Sequence, residues 1–426
     1  MPNERQGLSK PKKVNSLCNK IEVRKMKNIL LIGTLDTKGN ELLFMKDLVE
    51  KAHNHPIVMD TGVGEPKFKP DIATEEILAN SGKKMEDLTS LQDGGKIIQF
   101  MSPCVESMVK KLYEECKIDG VAAIGGAQGS AIASAGLKWL PVGFPKVLVS
   151  TKAVQAGIKG FTGPKDVAII PSVCDIAGLN RITRKILGNA AGAVMGMASI
   201  ELPPMPDKRP IVMTMNGTVN NCCLGIKQLL EKDGYEVIVF HTIGGGKALE
   251  KWIDDIGADL ACVIELSLEE IGNEIFGGMA SAGKERLEAA GRLGIPQIVT
   301  LGAVDFINYL GMDTVPEKYK NRKLHWHTPQ ATTMRMAKDE MEIIARTIAE
   351  KLNKSKGKVE IMVPLKGFSA WDKEGKEFYD PEADKYFIET IKKYILPSIH
   401  LTEHDFHIND KSFADLVYER FVQIVK

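Results

Sequence analysis

Short apolar runs alternate along the whole chain with segments of helical period, and nearly every run stops at a glycine or a small polar residue. Residues 28–32 are the first such run, followed by Gly33-Thr34-Leu35-Asp36-Thr37-Lys38. Residues 41–53 then place Leu42, Met45, Leu48 and Val49 at helical spacing. A second run, 56–60, ends in Asp60-Thr61-Gly62. Strand–helix–strand crossovers are right-handed, which makes the two strands parallel. Further strands are expected at 119–124, 146–150 and 167–171. This alternation predicts an α/β fold with doubly wound, mainly parallel sheets. At about 150 residues per domain, 426 residues suggest two or three domains.

The boundary is marked by Leu202-Pro203-Pro204-Met205-Pro206, because three prolines in five residues suit neither a helix nor a central strand. After it the pattern restarts. Residues 209–218 echo 27–34, 236–244 echo 56–62, 259–265 echo 119–124, and 295–302 echo 144–151. The reading is two Rossmann-like domains, 27–201 and 207–426, after a disordered tail at 1–26 that has no apolar signal-peptide core. Met26 could itself be a start. The second domain should continue with a helix at 331–353, a strand at 359–364 and helices at 382–395 and 412–425.

Composition narrows the function. Lys and Arg total 56 against 55 acids, a net charge of +1, which excludes a broad basic face for nucleic acid. Seven scattered cysteines without a C-x-x-C point to a reducing cytosol rather than a disulfide framework or zinc ribbon. The most apolar stretch, 120–137, holds five glycines. It falls short of the about 20 mainly apolar residues that a membrane span needs. A small molecule remains as the expected partner.

In doubly wound sheets, ligands sit outside the carboxyl ends of the strands. The chemistry-bearing residues fall at such ends. Lys38 could pair with a phosphate, and Asp36 could hold Mg²⁺ through water or bind a hydroxyl. The plainer alternative has Asp36 or Thr37 capping a helix and Lys38 in solvent. Gly125-Gly126-Ala127-Gln128-Gly129-Ser130 could form an anion-binding nest that opens a helix. Gly244-Gly245-Gly246-Lys247 is not a P-loop: His241 stands at the first glycine position and Ala248 at the Ser/Thr position. His241 and Glu265, both at strand ends, form a candidate acid–base pair. His325 and His327 would share one face of a strand. His400, His404 and His407 sit beside Glu403 and Asp405, but neither group shows a fixed closing ligand for a metal. Cys222 and Cys223 follow a helix start, as reactive thiolates or as small buried residues. Gly188, Gly192 and Gly196 share one helical face, suited to close packing or to exposing amides at a break.

The run Gly33-Thr-Leu-Asp-Thr-Lys-Gly-Asn-Glu-Leu resembles the opening signature of the Tm-one-like ATP-binding domain family. Gly125-Gly126-Ala-Gln-Gly-Ser, Asp175-Ile-Ala-Gly-Leu-Asn-Arg181, Arg286-Leu-Glu-Ala-Ala-Gly291, Gly302-Ala-Val-Asp305 and His327-Thr-Pro-Gln330 with Arg335 match in the same order, so the resemblance covers 27–426. It implies two Rossmann-like subdomains with ATP in the first, held by Gly33, Thr34, Asp36, Thr37 and Lys38, by Asp60 and Thr61, and by Gly192, Ala193 and Gly196. Gly125, Gly126, Gly129 and Ser130 would join them, although Ala127 and Gln128 depart from the family's richer glycine loop. The expectation is a cytosolic nucleotide-binding protein taking ATP with Mg²⁺, and a homo-oligomer. The fuller reading adds an enzyme acting on a second, small acidic or hydroxylated substrate in an inter-domain cleft. Asn216, Thr218, Gly244, Gly245 and His327 would line that cleft, with His241, Glu265 and Arg335 as catalytic groups. A non-catalytic hinged binding protein and a metal-dependent hydrolase or lyase stay open.

Overall fold

The structure is a computed structural model that describes residues 26–153, 159–205 and 208–425. The tail expected over 1–26 lies outside them except for Met26. The chain divides into two compact units, which part between Pro203 and Pro204.

The first unit is a five-stranded parallel sheet. Its strands are β1 (Asn28–Gly33), β2 (His55–Asp60), β3 (Gly120–Gly125), β4 (Lys146–Ser150) and β5 (Ala168–Pro171), in the order β2-β1-β3-β4-β5. Alternate residues face opposite layers, as the period of a strand requires. Leu30 and Ile32 pack with Met101, Val105, Val109 and Ile132. Ile29 and Leu31 pack with Leu42, Met45, Leu187 and Val194. The helix after β1, Leu35–Lys51, therefore covers one face, and the helix after β3, Ala127–Trp139, covers the other.

The second unit holds β6 (Pro210–Met215), β7 (Glu236–His241), β8 (Cys262–Glu265), β9 (Gln297–Val299), β10 (Phe306–Tyr309), β11 (Leu324–Thr328), β12 (Ala331–Arg335), β13 (Val359–Pro364) and β14 (His400–His404). Six of these form a parallel sheet in the order β14-β13-β9-β8-β6-β7. The other three form an antiparallel sheet, β10-β12-β11. Both large sheets are Rossmann-like and wholly parallel, as the alternation predicts.

Three differences from the sequence reading have local causes. The first helix starts at Leu35 rather than 41: Thr34 is the extended N-cap, and the residues after it already turn helically, with a kink at Lys38 (φ −119°, ψ 17°). Residues 331–335 are a strand, and the helix expected from 331 runs only from Lys338 to Leu352. Thr332 and Thr333 are β-branched and favour a strand, and β10 and β11 flank them. Residues 400–404, read as a histidine cluster, are an edge strand.

Gly125 is required where β3 turns into its helix. A Cβ there would lie 2.5 Å from the Ser130 backbone nitrogen. We expect Gly125→Ala to displace the start of helix Ala127–Trp139 at a cost of about 1–3 kcal/mol. Thermal unfolding should then fall by roughly 2–4 °C per kcal/mol. An unchanged midpoint would show that this turn is looser than drawn.

Candidate functional site

In the first sheet, β1 lies between β2 and β3, so the chain leaves β1 in one direction and returns on its other side. The loops after β1 and β3 therefore run to opposite faces and open a crevice at their carboxyl ends. The sequence placed two glycine-bearing loops there, and the fold brings them together: a Cβ at Gly129 would lie 3.9 Å from Thr34 Cγ2. Neither N-cap residue, Thr34 or Gly126, caps its helix with its own side chain. The first amides of helix Ala127–Trp139 have no intrahelical acceptor. The Lys38 backbone amide bonds Thr34 O, and its ammonium makes no hydrogen bond or ion pair with a described residue. The crevice thus combines the open start of helix Ala127–Trp139 with one unpaired ammonium, an arrangement that attracts an anion.

Carboxylates line the β2 side. Asp60 is buried, and its Oδ1 accepts hydrogen bonds from Leu35 N and Gly62 N, both at 2.8 Å. Burial holds its carboxyl above the ordinary range, against the pull of those two amides. Asp36 Oδ2 accepts from Gly64 N at 3.0 Å. Asp36 Oδ1 and Thr61 Oγ1 are buried without a partner among the described residues. A Cβ at Gly62 or Gly64 would approach the Asp36 carboxylate to 3.0 Å, so both glycines make room for it.

Several expected contacts do not form. Ser130 is buried, and its hydroxyl bonds Gly125 O and Ser150 Oγ, so it braces β3 against β4 instead of facing a ligand. Gly192, Ala193 and Gly196 lie within an unbroken helix, Thr183–Ser199, where their amides are bonded internally. They also sit at the wrong end of the sheet. A Cβ at Gly120, which opens β3, would lie 3.0 Å from Val194 Cγ2 and 3.5 Å from Ala198 Cβ. That region therefore adjoins the amino ends of the strands, away from Lys38 and the Gly125 loop. Gly192 and Gly196 face open space.

The second sheet has the same reversal, with β6 between β7 and β8. Its crevice holds a buried polar network. Glu269 accepts hydrogen bonds from Asn216 Nδ2 (2.8 Å), Thr242 Oγ1 (2.7 Å) and Ser267 Oγ (2.5 Å). Asn216 Oδ1 accepts from Thr218 N and Oγ1. Complete burial, with Glu270 nearby, raises Glu269 to about 7 despite three donors. Beside it, Arg286 is wholly buried among three glutamates. It is bidentate to Glu265 (2.7 and 2.6 Å) and bonded to Glu270 (2.7 Å) and Glu250 (3.3 Å). Glu270 also accepts from Gly246 N, and Glu250 from the amides of Leu287, Glu288 and Ala289.

This hub corrects the proposed acid–base pair. Glu265 is held by Arg286 and Thr214, while His241 is exposed at the end of edge strand β7. The Gly244–Gly246 turn closes on the protein's own carboxylate, Glu270. A Cβ at Gly245 would lie 2.1 Å from His241 O, and one at Gly246 2.0 Å from Glu270 Oε2. Arg335 is likewise buried, donating to Phe378 O, Asp305 O and Asp384 Oδ1. His327 is exposed on β11, its ring 6.0 Å from that of His325 and 6.1 Å from Trp371. His325 pairs with Glu377.

Two sequence profiles match: "Uncharacterised protein family (UPF0261) N-terminal domain" over residues 27–203 and its C-terminal domain over 208–425. The chain belongs to the UPF0261 family. A UPF0261 protein of Clostridium tetani is 39% identical over 94% of this chain and 99% of its own length. One from Rhizobium meliloti is 36% identical over 92% and 97%. The tomato (Solanum lycopersicum) ToMV resistance protein Tm-1(GCR237) is 30% identical over 93% of this chain, which spans 55% of that longer protein. The expected kinship with the Tm-1 protein thus holds at family level, and ATP is not part of what the match shows. A Methanocaldococcus jannaschii UDP-GlcNAc 2-epimerase aligns at 12% identity over 65% of this chain and 84% of that one, with a TM-score of 0.20, too low to carry an argument.

The remaining candidates in this UPF0261 chain disperse. His400 pairs with Glu360, His404 bonds Thr402, and buried His407 bonds Ser369 O. No group of three metal-ligating side chains forms among the described residues. Cys222 and Cys223 are buried in the core, which pushes both thiols up, Cys223 to about 12. No helix among the described residues is long and apolar enough to cross a membrane. Sequence reasoning missed Glu269, Glu250, Glu270 and Arg286 as a set. Their only signal was an acidic pair just past a strand and an arginine in a matching motif.

Arg286→Met should leave three buried carboxylates uncompensated and cost about 3–5 kcal/mol. Those carboxyls would then bind protons more tightly folded than unfolded, so the loss should be smaller at pH 5 than at pH 8. Equal losses at both pH values in thermal melts would contradict the ion-pair account. Glu269 gives a second check. Its folded value is raised to about 7, so its proton stabilises the fold at acid pH. That contribution fades as pH rises from about 4.5 to about 7. Glu269→Gln should flatten the stability profile across that window.

Proposed function

We propose that this protein binds a nucleotide, ATP with Mg²⁺, in the crevice between the loops after β1 and β3. The observation that carries the reading is the open start of helix Ala127–Trp139, packed against the Thr34 turn, together with the unpaired Lys38 ammonium on that turn's helix. The first helix amides and Lys38 would hold phosphate oxygens. Asp60 Oδ2, which accepts from no described residue, would take a ribose hydroxyl. The donor set fits a divalent cation, because the unpartnered Asp36 Oδ1 is a hard oxygen ligand beside the phosphate position. A bound cation there would offset the repulsion between the Asp36 and Asp60 carboxylates and the phosphates.

The fuller form of the proposal is a cytosolic enzyme, homo-oligomeric, that uses the nucleotide on a small acidic or hydroxylated metabolite. The alternative is a non-catalytic small-molecule-binding protein. That alternative is favoured by one finding: Glu265 and Arg335, expected to catalyse, are fully engaged in structural bonds. Saturable binding without turnover across a substrate panel would select it.

Thermal stability across nucleotides tests the binding itself. A ligand at 100 times its Kd adds about 2.7 kcal/mol. For a domain of this size the midpoint moves about 2–4 °C per kcal/mol. The wild-type shift with ATP and Mg²⁺ should be several degrees. Lys38→Ala should abolish most of it while changing unliganded stability by less than about 0.5 kcal/mol, since the Lys38 ammonium pairs with no described residue. A full shift in a Lys38→Ala, Asp36→Asn double variant would refute the site.

A further inference from the structure

In the second unit, the chain after β13 crosses the carboxyl ends of the sheet as an irregular segment, 367–378. Backbone bonds tie it to three neighbouring loops: Ala370 N to Thr218 O after β6, Ala303 N to Phe368 O after β9, and Ile408 N to Gly367 O after β14. Beneath it lie three buried carboxyl groups and one guanidinium. Asp305 comes from the turn before β10, Asp372 from the segment itself, Asp384 from helix Pro381–Tyr394, and Arg335 from β12.

The charges do not balance. Arg335 bonds Asp384 Oδ1 at 2.6 Å, but its other donors go to the carbonyls of Asp305 and Phe378 and toward Met341 Sδ. Ser369 Oγ bonds Asp305 Oδ2, and Phe368 N bonds Asp372 Oδ2. Asp305 Oδ1 and Asp372 Oδ1 are left buried with no partner among the described residues. The Asp372 and Asp384 carboxyls stand within hydrogen-bonding reach of each other. Two carboxylates cannot bond unless one carries a proton. Neighbouring charges do not settle the imbalance: Asp380 and Asp410 add negative charge, Lys373 is the nearby cation, and burial holds His407 below its usual value, neutral, with Nε2 on Ser369 O.

We propose that segment 367–378 is a proton-held strap: it stays closed while the Asp305 and Asp384 carboxyl groups retain protons, and it loosens when they ionise, uncovering Thr218 and Asp305 at the carboxyl ends of β6 and β9. Burial, reinforced by Asp372, raises Asp305 to about 7 and Asp384 to about 9. In the open segment these groups return to the ordinary carboxylate range, near 3.8. Opening therefore releases protons and becomes easier as pH rises, until the closed form has itself ionised near 9. The strap belongs to the second unit and stands apart from the nucleotide reading.

Hydrogen exchange on the full chain between pH 6 and 9, read by mass spectrometry, tests it. After correction for the intrinsic rate, protection of 367–378 should fall about tenfold per pH unit for each proton released. Protection in β8 should not follow. Asp384→Asn keeps the shape of the protonated acid and should lower the pH slope in the strap; Asp305→Asn is the second variant, read the same way. Strap protection that is flat with pH, a slope unchanged in both variants, or a parallel fall in β8 would each overturn the proposal.

Discussion

The reversal of strand order beside the first strand of each sheet governs what this protein can do. β1 lies between β2 and β3, and β6 between β7 and β8. In each case the helices that follow the two inner strands depart to opposite faces, and their amino ends are left facing one crevice. A fold of simple sequential order would pack every such helix start against its neighbour. The reversal is therefore what gathers Thr34, Lys38 and Gly126 in one place, and Asn216 and Glu269 in another.

The two crevices use that geometry in different ways. In the first, Thr34 and Gly126 do not cap their helices, and the Lys38 ammonium has no partner among the described residues. The amides that open helix Ala127–Trp139 are left for a ligand, while Asp60 takes the Leu35 amide of the other helix. In the second, the protein supplies its own anions. Glu270 occupies the start of helix Gly246–Ile256, Glu250 holds three amides before and within helix Ala289–Leu293, and Arg286 ties both to Glu265. A buried hub of this kind is costly to break, because each lost partner strands a charge in a dry interior. It fixes the loops after β7 and β8 relative to one another and to Thr214 of β6.

Much of the fold could be read from residue order. Alternating apolar runs and helical periods gave both parallel sheets, and the proline cluster at 203–206 stands where the two units part. The loops of the first crevice were also legible, since each is a glycine-rich turn at a strand end. The failures were of another kind. Gly192 and Gly196 have the spacing of a ligand-facing break, yet they lie in an intact helix at the amino ends of the strands. Ser130 looks like a phosphate contact but bonds Ser150 on the next strand. The antiparallel sheet β10-β12-β11 escaped notice because β12 is only five residues and runs close into a helix.

By itself, the sequence determined the alternation of strands and helices and the glycine turns that place Asp36 and Lys38 past β1. These are properties of neighbouring residues, so chain order is enough to express them. Tertiary structure alone decided which carboxylates are free and which are held. Glu265 and Glu269 are four residues apart at the same strand end, yet one is locked to Arg286 and the other rests on Asn216, Thr242 and Ser267. Their partners come from 21 and up to 53 residues away. Burial, which raises Glu269 to about 7, exists only once those distant elements have closed around it.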